Sequence, residues 1–243
     1  MKYCDNIFDK IQELLGSLPG HVTILEEQID ADVQTAYHDY ASNIQKPINR
    51  DEVLKKRETI FESGLDVEDK KHLLVQLASI DSIEAYRTLE KYIINHEVQL
   101  KDWATLAYKE SRLLIESKLM DESQILISTG LGGKGLKLRY FTALISEANQ
   151  SLSNFQQKII ADELAFAMKK FNGEVEEIRF DNELCTIISI IPLQAPVHKI
   201  FDEIVAECNQ YGGFICSDYF ITNVKVITNQ QLRKMIAKKG CPI

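Results

Sequence analysis

Hydrophobic positions recur at helical spacing through the first half of the chain and alternate along parts of the second. Residues 4–18 set Ile7, Phe8, Ile11, Leu14, Leu15 and Leu18 on one face, and Pro19-Gly20 ends the run. Val22, Leu25, Ile29, Val33, Ala36, Tyr37 and Tyr40 continue the pattern as a second amphipathic helix, broken at Pro47. Residues 50–63 are densely charged, with Val53, Leu54, Ile60 and Phe61 left to dock one side, and read as a solvated helix face. Asp66-Val-Glu-Asp69 opens a helix carrying Leu73, Leu74, Leu77 and Ile80. Asp81-Ser-Ile-Glu84 has the spacing of a capping box and predicts another, with Ile83, Tyr86, Leu89, Tyr92 and Ile93 turned inward. A longer helix over about 98–119 turns in Trp103, Leu106, Ala107, Leu113 and Leu114, with Met120 at its end.

The texture changes at Ile125–Ile145. Strand-like segments over about 124–129 and 136–145 flank Gly130-Leu-Gly-Gly-Lys-Gly135, which holds four of the eleven glycines. Ser153-Asn-Phe-Gln156 predicts the capped start of a helix whose buried stripe reads Phe155, Ile159, Ile160, Leu164, Ala167, Met168 and Phe171. Glu174–Phe180 and Leu184–Ile191 form a hairpin around Asp181-Asn-Glu183. The second of these segments is almost wholly apolar, as a central strand covered on both faces should be. Pro196 begins a helix with Val197, Ile200, Phe201, Ile204, Val205, Cys208 and Tyr211 inward. Phe214–Ile227 is extended, and Thr228-Asn-Gln-Gln231 caps a basic final helix.

These elements predict an α+β protein in two domains, residues 1–121 and 122–243. The first is a small all-helical bundle whose aspartate-led helices resemble HEAT-type pairs, although no fixed period runs through three units. The second reads strand, helix, strand, strand, helix, strand over 136–227, the βαββαβ order of a ferredoxin-like domain. That order carries no function by itself.

Composition narrows the classes. The net charge is −8, which argues against a general affinity for nucleic acid or anionic membranes. Residues 1–120 hold 15 Lys+Arg against 22 Asp+Glu and residues 121–243 hold 13 against 14, so the acidic surplus belongs to the first half. No apolar run of about 20 residues offers a membrane span, and the N-terminal residues start no signal-peptide core. Five scattered cysteines without a C-x-x-C pair fit reduced thiols in a cytoplasm.

The candidate chemistry is sparse. Gly130–Gly135 satisfies G-x-G-x-x-G, but a strand rather than a helix follows, so a dinucleotide fingerprint is excluded by context. Gly133-Lys134 is followed by Gly135 instead of Ser or Thr, which excludes the NTPase phosphate loop. What remains is an anion-binding candidate: Gly130, Gly132, Gly133 and Gly135 exposing backbone N–H groups, with Lys134, Lys137 and Arg139 adding charge. The bland alternative is a glycine turn or interdomain hinge with ordinary lysines. His21, His38, His72, His96 and His198 show no metal-ligand spacing, and no catalytic residues, metal or cofactor are expected. Glu174, Glu176, Glu177, Asp181 and Glu183 read as a solvated acidic face protecting a strand edge. Leu184–Ile191 offers no aromatic for base stacking; the cluster Arg233, Lys234, Lys238 and Lys239 is explained equally well as cations at a helix C-terminus.

The expectation from sequence is therefore a non-catalytic cytoplasmic regulator or adaptor. It would work through a protein partner on its helical domain, with self-pairing through an exposed strand edge and without nucleic acid or membrane contact. The second expectation is a ligand-sensing module holding a phosphorylated or carboxylated small molecule at Gly130–Arg139.

Overall fold

The computed structural model describes residues 21–44, 48–147 and 150–239. The helix expected over 4–18 and the thiols of Cys4 and Cys241 lie outside these residues. The chain is mixed α and β and separates into two units. One takes the described residues up to Thr23 together with Ile29–Ile127; the other takes Ile24–Gln28 together with the described residues from Ser128 onward.

The first unit is mainly helical. Its helices are α1 (Ala31–Asn43), α2 (Arg50–Lys56) running into a 3-10 turn, α3 (Val67–Ala78), α4 (Ile83–Ile94) and α5 (Lys101–Met120). Three start on short polar side chains that satisfy otherwise unpaired amides. Asp30, Asn49 and Asp66 accept from the backbone N–H of Asp32, Glu52 and Glu68. The fourth start differs from expectation. Ser82 precedes α4 without a side-chain cap bond, and Asp81 is drawn to Lys118 instead. Ile83, expected inward, is 70% exposed.

Leu74, Leu77, Leu89, Tyr92, Leu100 and Ala107 are buried among α3, α4 and α5. Trp103 meets the rings of Tyr37 and Tyr40 edge-on at 5.3 and 5.5 Å. The Tyr37 hydroxyl donates to Glu110 at 2.5 Å; burial first, and then this carboxylate, hold the phenol well above its usual pKa. The helix expected through Val22–Tyr40 is shorter than its apolar pattern. His21–Ile24 instead forms β1, rich in β-branched residues, which pairs with β2 (Gln124–Ile127) in a separate two-stranded sheet.

The second unit holds a five-stranded sheet of β3 (Gly133–Lys134), β4 (Lys137–Ile145), β5 (Glu174–Asp181), β6 (Leu184–Pro192) and β7 (Phe220–Thr222). The order is β3-β4-β6-β5, with β7 also on β4. β4 and β6 pair antiparallel along their whole length, from Lys137↔Pro192 to Ile145↔Leu184. Asn182, at φ 54°, makes the tight turn between β5 and β6. Extended pairing after Phe214 is briefer than its sequence suggests, with an isolated bridge Ser146↔Ile215 before the three residues of β7.

Alternation places Leu138, Tyr140, Thr142 and Leu144 on one face of β4, opposite Ile191, Ser189, Ile187 and Cys185. Helix α7 (Val197–Asn209) covers that face, because Cys185 and Cys208 are close enough to interact; burial pushes each thiol up to about 12. Helix α6 (Asn154–Lys170) packs beside α7. On the other face Phe141, Ala143, Ile145 and Leu184 cluster with Leu131 and with Leu232 and Ile236 of α8 (Asn229–Lys239). Both faces of the central strands are therefore dry. Among the described residues no helix is long and apolar enough to cross a membrane.

Among the described residues of the helical unit, one charge lies inside. Lys70 is 1% exposed, and its ammonium is bound by Glu97. Glu97 is itself partly exposed, so replacing Lys70 by alanine strands no buried charge; it removes a buried aliphatic stem and should lower stability by about 2 kcal/mol. Urea denaturation of Lys70→Ala against wild type measures this, and a change within error would show that the stem is dispensable.

Candidate functional site

The glycine segment is a packed structural element. Gly132 lies at φ +67°, and a Cβ there would sit 2.4 Å from the Glu26 carbonyl oxygen; one at Gly130 would sit 1.7 Å from that of Val224. These positions need glycine because other backbone comes against them. The amides are also engaged. Leu131 N–H donates to Asn223 O, Gly132 N–H to Thr129 O, and Gly135 N–H to Glu26 Oε1 at 2.9 Å.

Its cations meet carboxylates of the same unit. Lys134 and Lys137 each donate to Glu174 at 3.0 Å. Arg139 bonds both oxygens of Glu176 and also donates to the Leu131 carbonyl at 2.7 Å. Hydrogen bonds from Lys134 and Lys137 hold Glu174 below the usual carboxylate range, and the one from Arg139 does the same for Glu176. Beside Arg139 and Glu176 opens a hollow of about 340 Å³, also lined by Gln28, Leu131, Glu177, Ile188 and Val226.

The rest of the acidic strand is likewise paired. Glu177 meets Arg179, while Asp181 and Glu183 both receive Arg233, a member of the expected basic cluster. Tyr219 shares its phenol proton between the His198 carbonyl and Asp202 Oδ1, both at 3.0 Å, and thereby ties its segment to α7. Among the described residues no three His, Cys, Asp or Glu side chains gather closely enough to hold a metal ion.

The surface that sequence reading missed is the outer face of α6. Ser153 and Gln156 form a full capping box at its start, as expected. Ile159, Ile160, Leu164, Ala167 and Met168 are its buried stripe. Phe155, expected in that stripe, is 66% exposed, and Phe166 is 68% exposed. At about 100° per residue, Phe155 lies roughly 150° round the helix from the stripe's centre. Its i, i+4 spacing to Ile159 predicts the buried side, which the helix geometry does not give it. Lys158 and Lys169 are exposed on the same outer face, with Asp162 between them. Among the described residues neither lysine meets a carboxylate, unlike the cations of the glycine segment. The signal was present in the sequence: Phe155-Gln-Gln-Lys158 and Phe166-Ala-Met-Lys169 repeat Phe-x-x-Lys eleven residues apart.

No protein-family model and no curated protein matches the chain. Among solved structures, it is similar to a candidate transposase from Deinococcus radiodurans R1, at 14% identity and TM-score 0.38, over 44% of this chain and 94% of that one. It is also similar to a REP-associated tyrosine transposase bound to a REP hairpin, at 10% identity and TM-score 0.32, over 43% of this chain and 69% of that one. At these identities the likeness concerns fold alone.

Two expectations are corrected on this finding. A non-catalytic adaptor or ligand sensor, acting by protein contacts or self-pairing, and a chain without nucleic-acid contact do not agree with structural neighbours that are transposases, one bound to a REP hairpin. The argument against nucleic acid rested on the lack of aromatics in Leu184–Ile191 and on a charge of −8 averaged over the chain. That average conceals a helix face on which two lysines stand unpaired beside two exposed rings.

The Arg139–Glu176 pair has a defined pH signature. Because the folded-state pKa of Glu176 is depressed, its stabilisation is complete above the unfolded glutamate value of about 4.3 and is lost as pH falls through the folded value. Urea denaturation should find Glu176→Gln less stable than wild type by about 0.5 kcal/mol at neutral pH, the pair being partly exposed. That difference should vanish in acid; a difference independent of pH would assign the effect to packing.

Proposed function

We propose that the second unit binds an unpaired nucleic-acid strand along the outer face of α6. The observation that carries this reading is the pair of exposed phenylalanines, Phe155 and Phe166, each followed one helical turn later by an exposed lysine. Bases present apolar π-faces and are sequence-tolerant stacking partners for such rings, and the ammonium groups supply countercharge for phosphates. A duplex keeps its bases stacked inward, so an unpaired strand is the form this surface fits.

The strand order β7-β4-β6-β5, with α6 and α7 as the two crossovers, supports a ferredoxin-like domain. The packing of α3, α4 and α5 supports HEAT-type pairing in a helical domain of about residues 1–121, with the α+β domain following over 122–243. The reduced thiols of Cys185 and Cys208 support placement in the cytoplasm. The glycine segment, comprising Gly130, Gly132, Gly133, Lys134, Gly135, Lys137 and Arg139, is proposed to act as an internal clamp for the carboxylates of Glu26, Glu174 and Glu176.

Fluorescence anisotropy with a labelled single-stranded oligonucleotide tests the binding reading. Phe155→Ala or Phe166→Ala should weaken binding by about fivefold or more, since base–aromatic stacking is worth about 1–3 kcal/mol per base. The logarithm of the association constant should fall with that of salt concentration at a slope of about −1.4, for two phosphates neutralised on a single strand. Asp162→Asn should tighten binding by about twofold at low salt by removing a like charge from the phosphates' path. Binding indifferent to salt, to both rings and to Asp162 would overturn the reading.

A further inference from the structure

The outer face of α6 carries its groups as a duplicate. Phe155 with Lys158 and Phe166 with Lys169 set a phenylalanine and a lysine at the same i, i+3 offset. Eleven residues turn the helix through about three full turns, leaving the second unit only about 20° from the first. They advance it by about 16 Å along the axis, at about 1.5 Å per residue. Exposure of the two residues is also nearly equal, at 66% and 68%. Two equivalent positions are therefore displayed in line on one rigid element, within a single capped helix.

We infer that these are two equivalent subsites, each taking one base and its neighbouring phosphate, and that one strand bridges them. This rests on the strand-binding reading of α6. The occupant follows from charge and shape together: each apolar ring is paired with a cation, which suits a polymer alternating flat bases with anionic phosphates. A purely apolar partner would leave both ammonium groups without a counterpart. The spacing sets a minimum length. At about 3.4 Å per stacked nucleotide, around five are needed to cover about 16 Å, whereas a dinucleotide can occupy only one subsite. Once the first subsite is filled, the second is engaged intramolecularly, so a strand long enough for both gains affinity without a new kind of contact.

The test compares a labelled thymidine dinucleotide with a decanucleotide on the full chain, using wild type, Phe155→Ala, Phe166→Ala and the double variant. Far-UV circular dichroism confirms the fold of each. The wild type should bind the decanucleotide at least about tenfold more tightly than the dinucleotide. Either single substitution should remove most of that gain, and the double variant should lose both ligands. Phe155→Tyr should keep the gain, because it retains the stacking face. A length gain that survives both single variants, or unequal losses confined to one ring, overturns the two-subsite inference while leaving strand binding in place. Failure of the wild type to bind either oligonucleotide, or full binding by the double variant, overturns the strand-binding reading itself. Parallel arms with uridine oligonucleotides separate RNA from DNA as the strand's source.

Discussion

The pairing of β4 with β6 is the constraint on which the second unit depends. Nine consecutive register pairs join the two strands, and both faces of β4 between Tyr140 and Ile145 are removed from water. Covering both faces takes more than the two crossover helices. Leu232 and Ile236 of α8, with Leu131 from the glycine segment, close the side that α6 and α7 leave open. The tight glycine turn and the basic final helix are thus required by the sheet. Gly130 and Gly132 let the chain approach Val224 and Glu26 closely enough to seat Leu131 in that cluster.

Closing the second face also determines where charge is left. Lys134, Lys137 and Arg139 cannot leave the rim of the sheet, and β5 supplies Glu174 and Glu176 opposite them. Arg233 anchors α8 to Asp181 and Glu183 at the other end. Each pair is exposed enough to contribute little stability alone. Together they keep an unsatisfied row of like charges from forming on a strand edge. The cations left outside this arrangement include Lys158 and Lys169, on a helix face that the sheet does not use.

Local signals were legible in the sequence and distant ones were not. The Ser153–Gln156 capping box, the turn at Asn182 and the apolar run of β6 rest on short-range geometry, and each appears where the residues place it. The apolar residues from Val22 onward also fit a 3.6 period, which predicts helix where His21–Ile24 forms a strand. The strand state comes from β2, about a hundred residues away, which no local pattern reports. The glycine segment was recognised as unusual, yet the approach of Glu26 and Val224 that makes glycine necessary is again long-range. The carboxylate partners of its cations were named in the sequence as a solvated acidic face. Only the register of β5 against β6 brings them across to Lys134, Lys137 and Arg139.

The misplacement of Phe155 shows why a functional surface can be harder to read than a core. Hydrophobic periodicity assigns every large apolar residue to the nearest buried stripe, and an i, i+4 neighbour such as Ile159 makes the assignment look sound. Scattered exposed apolar residues are ordinary on soluble proteins, so one exposed ring would carry no weight. What separates α6 from that background is recurrence. The same residue pair returns after three turns on the same face, with nearly equal exposure, and with lysines that find no carboxylate among the described residues although acids abound in the unit. A core stripe would bury these rings, and a merely solvated face would not need them. A surface that presents rings and charges at one repeat on a rigid rod is matched to a ligand with its own repeat of flat and anionic groups.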